Sequence, residues 1–220
     1  ALAAGCPVVL KPSELTAPSS VALVRLLHEA GVPPTKAGVV AGLGATAGAR
    51  LVCDDGVGKV VFIGSVGTGR KVAAAAALAG RPSLLELGGK SANIVFADAD
   101  LKRAARAAQG AIFAAAGQSC TAGARLLVER PVYQQLVDWI AAGADRLRVG
   151  DPQDPATEVG PINNRRQFER VASLVATGER EGARCVTGGG ADGAGGGGFY
   201  VRPTVFADVS PEMTIAREEI

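Results

Sequence analysis

The run Lys59-Val60-Val61-Phe62-Ile63 is β-branched and aromatic, turns at residues 64–69, and continues into the alanine-rich stretch 70–79. That is a strand feeding a helix, and the change of period recurs along the chain. Val8 to Leu10 predicts a short buried strand. Ser19-Ser20 predicts the cap of a helix through about Ala30, which Gly31 and Pro33-Pro34 end. Residues 38–41 read as a strand, 45–54 as a short helix and 83–87 as a strand closed by Gly88-Gly89. Residues 92–96 follow as a strand, and Asp100 predicts the cap of a long helix to about Ala116. Residues 124–128 and 200–206 are strand-like, while 131–147 and 163–182 are helical. Three prolines and two Asp-Pro steps make 148–161 a loop. Eight glycines in the eleven residues 188–198 predict a flexible surface loop. Strands alternating with helices in short units predict an α/β fold with a parallel sheet.

Composition removes several functions. The 220 residues suffice for one or two domains and a real core. With 23 basic and 21 acidic side chains the formal net charge is +2, which argues against a nucleic-acid binder relying on a basic surface. Apolar stretches such as 73–79 fall far short of the ~18–20 residues that span a bilayer. One histidine rules out a multi-histidine metal site. Any histidine-assisted nucleophile would depend on His28, whose helical spacing and charged neighbours place it on the surface. Cys6, Cys53, Cys120 and Cys185 form no Cys-x-x-Cys pair, so a reduced, cytoplasmic setting is expected. The chain starts at Ala1 and runs into an apolar segment, and it stops at Glu218-Glu219-Ile220. Both ends are expected to be cuts through ordered structure, and the first residues do not fit a secretory signal.

Five places carry candidate chemistry, each beside a plainer meaning. The turn Gly42-Leu43-Gly44-Ala45-Thr46-Ala47-Gly48 lies between a strand and a helix. Its last glycine is one residue too far along for a dinucleotide fingerprint, and no acid follows at the ribose distance; an ordinary turn fits it better. The turn Gly64-Ser65-Val66-Gly67-Thr68-Gly69 joins the clearest strand to the clearest helix. Its glycines and free N–H groups suit a phosphate, and a plain turn fits as well. Lys11-Pro12-Ser13-Glu14 follows a strand, where α/β sheets bind ligands. A lysine and a glutamate there suit the hydroxyls of a ribose, and equally suit a solvated loop. Glu86 ends an apolar strand, where a carboxylate is costly unless paired or protonated; the alternatives are a general base and a rim glutamate in water. Cys120 sits in the small, polar loop Gly117-Gln118-Ser119-Cys120-Thr121; a lone cysteine is more often an inert small hydrophobe, and the loop raises this one modestly above that as a nucleophile.

Taken together, these segments resemble the aldehyde dehydrogenase family. The likeness spans nearly the whole chain and keeps its order: Leu10-Lys11-Pro12-Ser13-Glu14, Phe62-Ile63-Gly64-Ser65, Glu86-Leu87-Gly88-Gly89-Lys90, Gly117-Gln118-Ser119-Cys120, Gly160-Pro161, Arg202-Pro203-Thr204-Val205-Phe206 and Glu218-Glu219-Ile220. Singly these are weak; the ordered set, with 34 residues from Glu86 to Cys120, is specific. The resemblance implies a partial Rossmann-like cofactor domain over residues 1–87 and a partial α/β catalytic domain over 88–220, both within a longer enzyme. It implies Cys120 as nucleophile and Glu86 as general base. It implies that Lys11, Ser13 and Glu14 face the adenosine ribose, with Gly44 near the adenine. Gly64 and Ser65 would then meet the pyrophosphate, Leu87 would line the cofactor and Glu219 would hold the nicotinamide ribose. No metal is implied.

The implied chemistry is oxidation of an aldehyde to an acid. Cys120 attacks the carbonyl, the thiohemiacetal passes hydride to NAD, and Glu86 activates the water that hydrolyses the thioester. Glu14 favours NAD over NADP, because a carboxylate repels the 2′-phosphate. The implied partner is an aldehyde, with no nucleic acid or membrane, and the parent enzyme would be a homodimer or homotetramer. Two other readings are an inactive cofactor-binding or interaction module and a coenzyme-A-acylating relative; Glu86 speaks for hydrolysis. Two departures stand out. The asparagine that the family supplies to the oxyanion would precede this segment, leaving the backbone N–H of Cys120, and one lost donor costs ~10²–10³ in rate. In the family's Gly-Ser-Thr-Glu motif, Val66 and Gly67 replace the last two residues.

Overall fold

The strand-to-helix alternation takes the form of three βαβ units in the computed structural model, which describes residues 1–190 and 197–220. Strands β1 (Val8–Leu10) and β2 (Ala37–Val39) pair in parallel across helix α1 (Ala17–Glu29). Helix α2 (Ala49–Val52) follows. Strands β3 (Val60–Gly64) and β4 (Ser83–Leu87) pair in parallel across α3 (Val66–Leu78), with Ile63 opposite Glu86 and Gly64 opposite Leu87. Strands β5 (Ala92–Val95) and β6 (Arg125–Val128) do the same across α4 (Leu101–Phe113). Helices α5 (Tyr133–Ala144) and α6 (Arg165–Arg180) follow. Strands β7 (Arg184–Thr187) and β8 (Val205–Ala207) then pair antiparallel, and α7 (Thr214–Arg217) comes last. The fold is α/β, with its parallel strands in two-stranded ladders among the described residues.

Several boundaries differ from the sequence expectation, each for a local reason. Helix α1 begins before Ser19-Ser20, because Pro18 in the first turn already has the helical φ. Helix α3 starts at Val66, inside the expected turn. Ser65 caps it by accepting from the Thr68 N–H at 3.3 Å. Asp100 caps α4 as expected, accepting from Arg103 N–H at 3.1 Å. That helix stops at Phe113 rather than Ala116, because Ala115 and Ala116 turn left-handed. The strand expected over 200–206 shrinks to β8, since Pro203 has no N–H to give a ladder. Strand β7 and helix α7 were not expected. The glycine-rich loop predicted over 188–198 falls, at 191–196, outside the described residues.

The described residues divide into two units, Ala1–Leu87 and Gly88–Ile220. In the first, Val24, Ala37, Val60 and Ala76 are buried in the core. His28 is half-buried, not on the surface, and its Nε2 lies 2.8 Å from the Ala37 carbonyl, which ties α1 to β2. Helix α3 sits close on β4 because Gly69 has no side chain. A Cβ there would lie 2.5 Å from Leu87 Cδ2. In the second unit, Val95, Ala105, Ala108, Leu136 and Ile140 form one cluster from β5, α4 and α5. Leu136 is fully buried, and removing its side chain from water contributes about 2 kcal/mol.

Asp208 is a non-glycine residue in the left-handed region, at φ 57°. Three bonds hold it there. Tyr133 Oη donates to its Oδ1 at 2.9 Å, its own N–H donates to Tyr133 Oη at 2.8 Å, and Arg184 Nε donates to Oδ2 at 2.7 Å. The Arg184 and Tyr133 bonds hold the Asp208 carboxyl below the usual carboxylate range. A carboxyl depressed in the folded state stabilises fully above its unfolded value of ~3.9. That contribution is lost as pH falls through the folded value. The stability of an Asp208→Asn variant of the full-length protein is therefore expected to fall less steeply than wild type below about pH 4. Denaturant midpoints measured across pH check this, and equal slopes would remove the assignment.

Candidate active site

The first unit carries the candidate cofactor residues. Lys11 follows β1 and is half-buried against the buried Pro12. Its ammonium donates to the Pro12 carbonyl and, at 3.1 Å, to the Gly42 carbonyl. A Cβ on Gly48 would stand 3.3 Å from Lys11 Cδ. The lysine and the glycine turn 42–48, which contains Gly44, thus converge. Ser13 and Glu14 are exposed. Ser13 Oγ accepts from Leu15 N–H at 3.3 Å, which orders the loop that presents Glu14. No cation pairs with Glu14 among the described residues.

Gly64 ends β3 and Ser65 caps α3. The Ser65 side chain engages Thr68, so the N–H groups of Val66 and Gly67 have no partner within the helix and point where an anion is favoured. These donors and the close glycine turns fit a dinucleotide. Glu86 and Leu87 close β4. Glu86 is exposed at the end of its strand.

The second unit gathers Cys120 and Glu219 around residues 88–90. A Cβ on Gly88 would fall inside the Glu219 carboxylate, and one on Gly89 would lie 4.0 Å from the Cys120 carbonyl. Burial holds the Lys90 ammonium down to about 8, helped by the charge of Arg125 and opposed by Glu219. Arg170 Nη2 donates to Glu218 Oε2 at 3.2 Å and to the Glu219 carbonyl at 3.3 Å. Sequence reasoning assigned no role to Lys90, Gly88 or Arg170. The first two adjoin Glu86 in one motif, whereas Arg170 had no local signal.

Cys120 is exposed in a turn after α4. Ser119 N–H donates to the Gly117 carbonyl at 2.9 Å, and Ala122 N–H to Ser119 at 3.1 Å. Among the described residues, the Cys120 N–H donates to no backbone carbonyl. The other cysteines differ. Burial pushes the Cys185 thiol up, with Glu179 adding to it, and this disfavours the thiolate. All four are free. No group of three or more metal-ligating side chains exists among the described residues. No helix among them is long and apolar enough to cross a membrane.

The family model described as "Aldehyde dehydrogenase family" matches residues 1–220. The chain belongs to the aldehyde dehydrogenase family. It is 47% identical over 220 residues to a betaine aldehyde dehydrogenase of Cereibacter sphaeroides, covering 100% of this chain and 45% of that protein. It is 43% identical over 224 residues to retinal dehydrogenase 2 of Mus musculus, covering 100% of this chain and 42% of that one. An aldehyde dehydrogenase C variant from Pseudomonas syringae, solved with NAD+ and octanal, superposes with a TM-score of 0.95 at 42% identity, covering 99% of this chain and 45% of that one. This aldehyde dehydrogenase chain thus spans about half the length of the relatives it matches.

Proposed function

We propose that the full-length protein oxidises an aldehyde to a carboxylic acid with NAD, and that Cys120 carries the reaction. The observation behind this is the Cys120 turn. It presents an exposed thiol beside its own unpaired N–H, in a chain matched by the aldehyde dehydrogenase model from end to end. The Cys120 thiol gives its proton to solvent, the thiolate Sγ adds to the carbonyl carbon, and the N–H of Cys120 donates to the oxygen as it gains negative charge. Bound NAD supplies the hydride acceptor. Loss of hydride leaves a thioester on Cys120. Glu86 takes a proton from water, the water oxygen attacks the thioester carbonyl, and the Cys120 sulfur leaves as the acid departs. Product analysis with and without coenzyme A separates water from a thiol as acceptor.

Lys11, Ser13 and Glu14 would hold the adenosine ribose beside Gly44. Gly64, Ser65 and the start of α3 would take the pyrophosphate, Leu87 would line the cofactor, and Glu219 would bind the nicotinamide ribose. The unpaired, exposed Glu14 supports NAD, because a 2′-phosphate brought beside it meets like charge with no cation to offset it. With a panel of aldehydes, the full-length protein is expected to form NADH at least about tenfold faster than NADPH, a difference of roughly 1.4 kcal/mol. Glu14→Gln is expected to narrow that gap. Equal turnover with both cofactors would overturn the preference, and no turnover with either would overturn the function.

A further inference from the structure

The loop that presents Cys120 is built on backbone that L side chains rarely adopt. Ala115 and Ala116 have φ of 51° and 55°, with ψ of 32° and 35°, and Gly117 follows at φ 75°. Three successive residues therefore turn left-handed, two of them alanines. For a residue with a Cβ this conformation costs roughly 1–2 kcal/mol. Such backbone persists only where the surroundings over-determine it.

Gln118 does so with both ends of its amide. Its Nε2 donates to the Ala115 carbonyl at 3.1 Å, closing the turn on itself. Its Oε1 accepts from the Asn163 N–H at 2.9 Å, 45 residues away. Asn163 immediately precedes Asn164, which caps α6 by accepting from Gln167 N–H at 3.0 Å. The turn is thereby tied to a sixteen-residue helix. No shorter or single-ended side chain at 118 makes both bonds, since one needs a donor and the other an acceptor. Cys120 lies two residues on.

We propose that Gln118 is a positioning residue for Cys120: it locks the left-handed turn 115–117 to the start of α6, and so fixes where the Cys120 Sγ and N–H point. This rests on the reading of Cys120 as the nucleophile. Gln118 touches no reacting atom; it sets the geometry of the group that does, and a misplacement of about 1 Å can cost ~10²-fold in rate.

The test uses the full-length protein and two variants. Gln118→Ala loses both bonds. Gln118→Glu keeps an acceptor for Asn163 N–H and loses the donor to Ala115. Three experiments are made: the rate of Cys120 alkylation by iodoacetamide across pH, with Cys120→Ala as background; steady-state kinetics with an aldehyde; and an NAD titration. In both variants NAD affinity is expected to stay within twofold. Alkylation of Cys120 is expected to slow by at least about fivefold, with kcat lowered by at least about tenfold. If Gln118→Ala fails to fold, Gln118→Glu decides alone. Alkylation and kcat both within twofold of wild type in a folded variant would overturn the proposal. Turnover retained by Cys120→Ala would instead overturn the reading of Cys120, while the alkylation rate still reports whether Gln118 sets the thiol.

Discussion

Replacing Cys120 by alanine in the full-length protein is expected to remove aldehyde oxidation, with kcat falling by roughly 10⁴–10⁶-fold, as removal of a covalent nucleophile does elsewhere. The size of the effect follows from the chemistry. Without the sulfur no thiohemiacetal forms, so no carbon is set up to lose hydride. No other thiol substitutes. Cys6 and Cys53 belong to the first unit, and the thiol of Cys185 is disfavoured as a thiolate by its own burial. The Cys120 N–H survives in the alanine variant, as do the cofactor residues, so NAD binding is expected to persist. NADH absorbance with saturating aldehyde measures the first quantity and a cofactor titration the second. Turnover within tenfold of wild type would sink the assignment.

Glu86→Gln is expected to act later in the cycle. The amide keeps the size of the carboxylate but takes no proton, so acylation of Cys120 proceeds while water attack slows by about 10²–10⁴-fold. The signature is a burst of NADH equal to the active sites, followed by a slow steady state. Exposure of Glu86 at the end of β4 bears on this, because the attacking water needs access to the carboxylate. A steady-state rate equal to wild type, with no burst, would take the base role from Glu86. The two variants differ in kind: Cys120→Ala loses the burst, and Glu86→Gln exposes it.

The βαβ pattern was legible because its signals are local. The run 59–63, the cap at Asp100 and the glycine at 31 each act within a few residues of where they stand. Cys120 and Glu86 stood out for similar reasons, as chemistry-bearing side chains in unusual short contexts, and the family resemblance gave them roles. What stayed hidden depends on distance. Strand β7 exists through its pairing with β8 across the glycine-rich stretch, and its own four residues carry no strong period. The left-handed alanines at 115 and 116 looked like helix, since alanine is the best helix former and the residues that override it lie elsewhere. The Asn163 end of the Gln118 bond, the Arg170 clamp on the 218–219 segment and the half-buried state of His28 all join residues that are separated in the chain.

Gly69 carries one more consequence. Because nothing intervenes between α3 and Leu87, the helix whose first turn would grip a pyrophosphate bears directly on the residue next to Glu86. The proposed phosphate anchor and the proposed base would therefore share one joint, the contact of Gly69 with Leu87. A larger residue at 69 would act as a shim, pushing α3 and the end of β4 apart without replacing any of the proposed site residues.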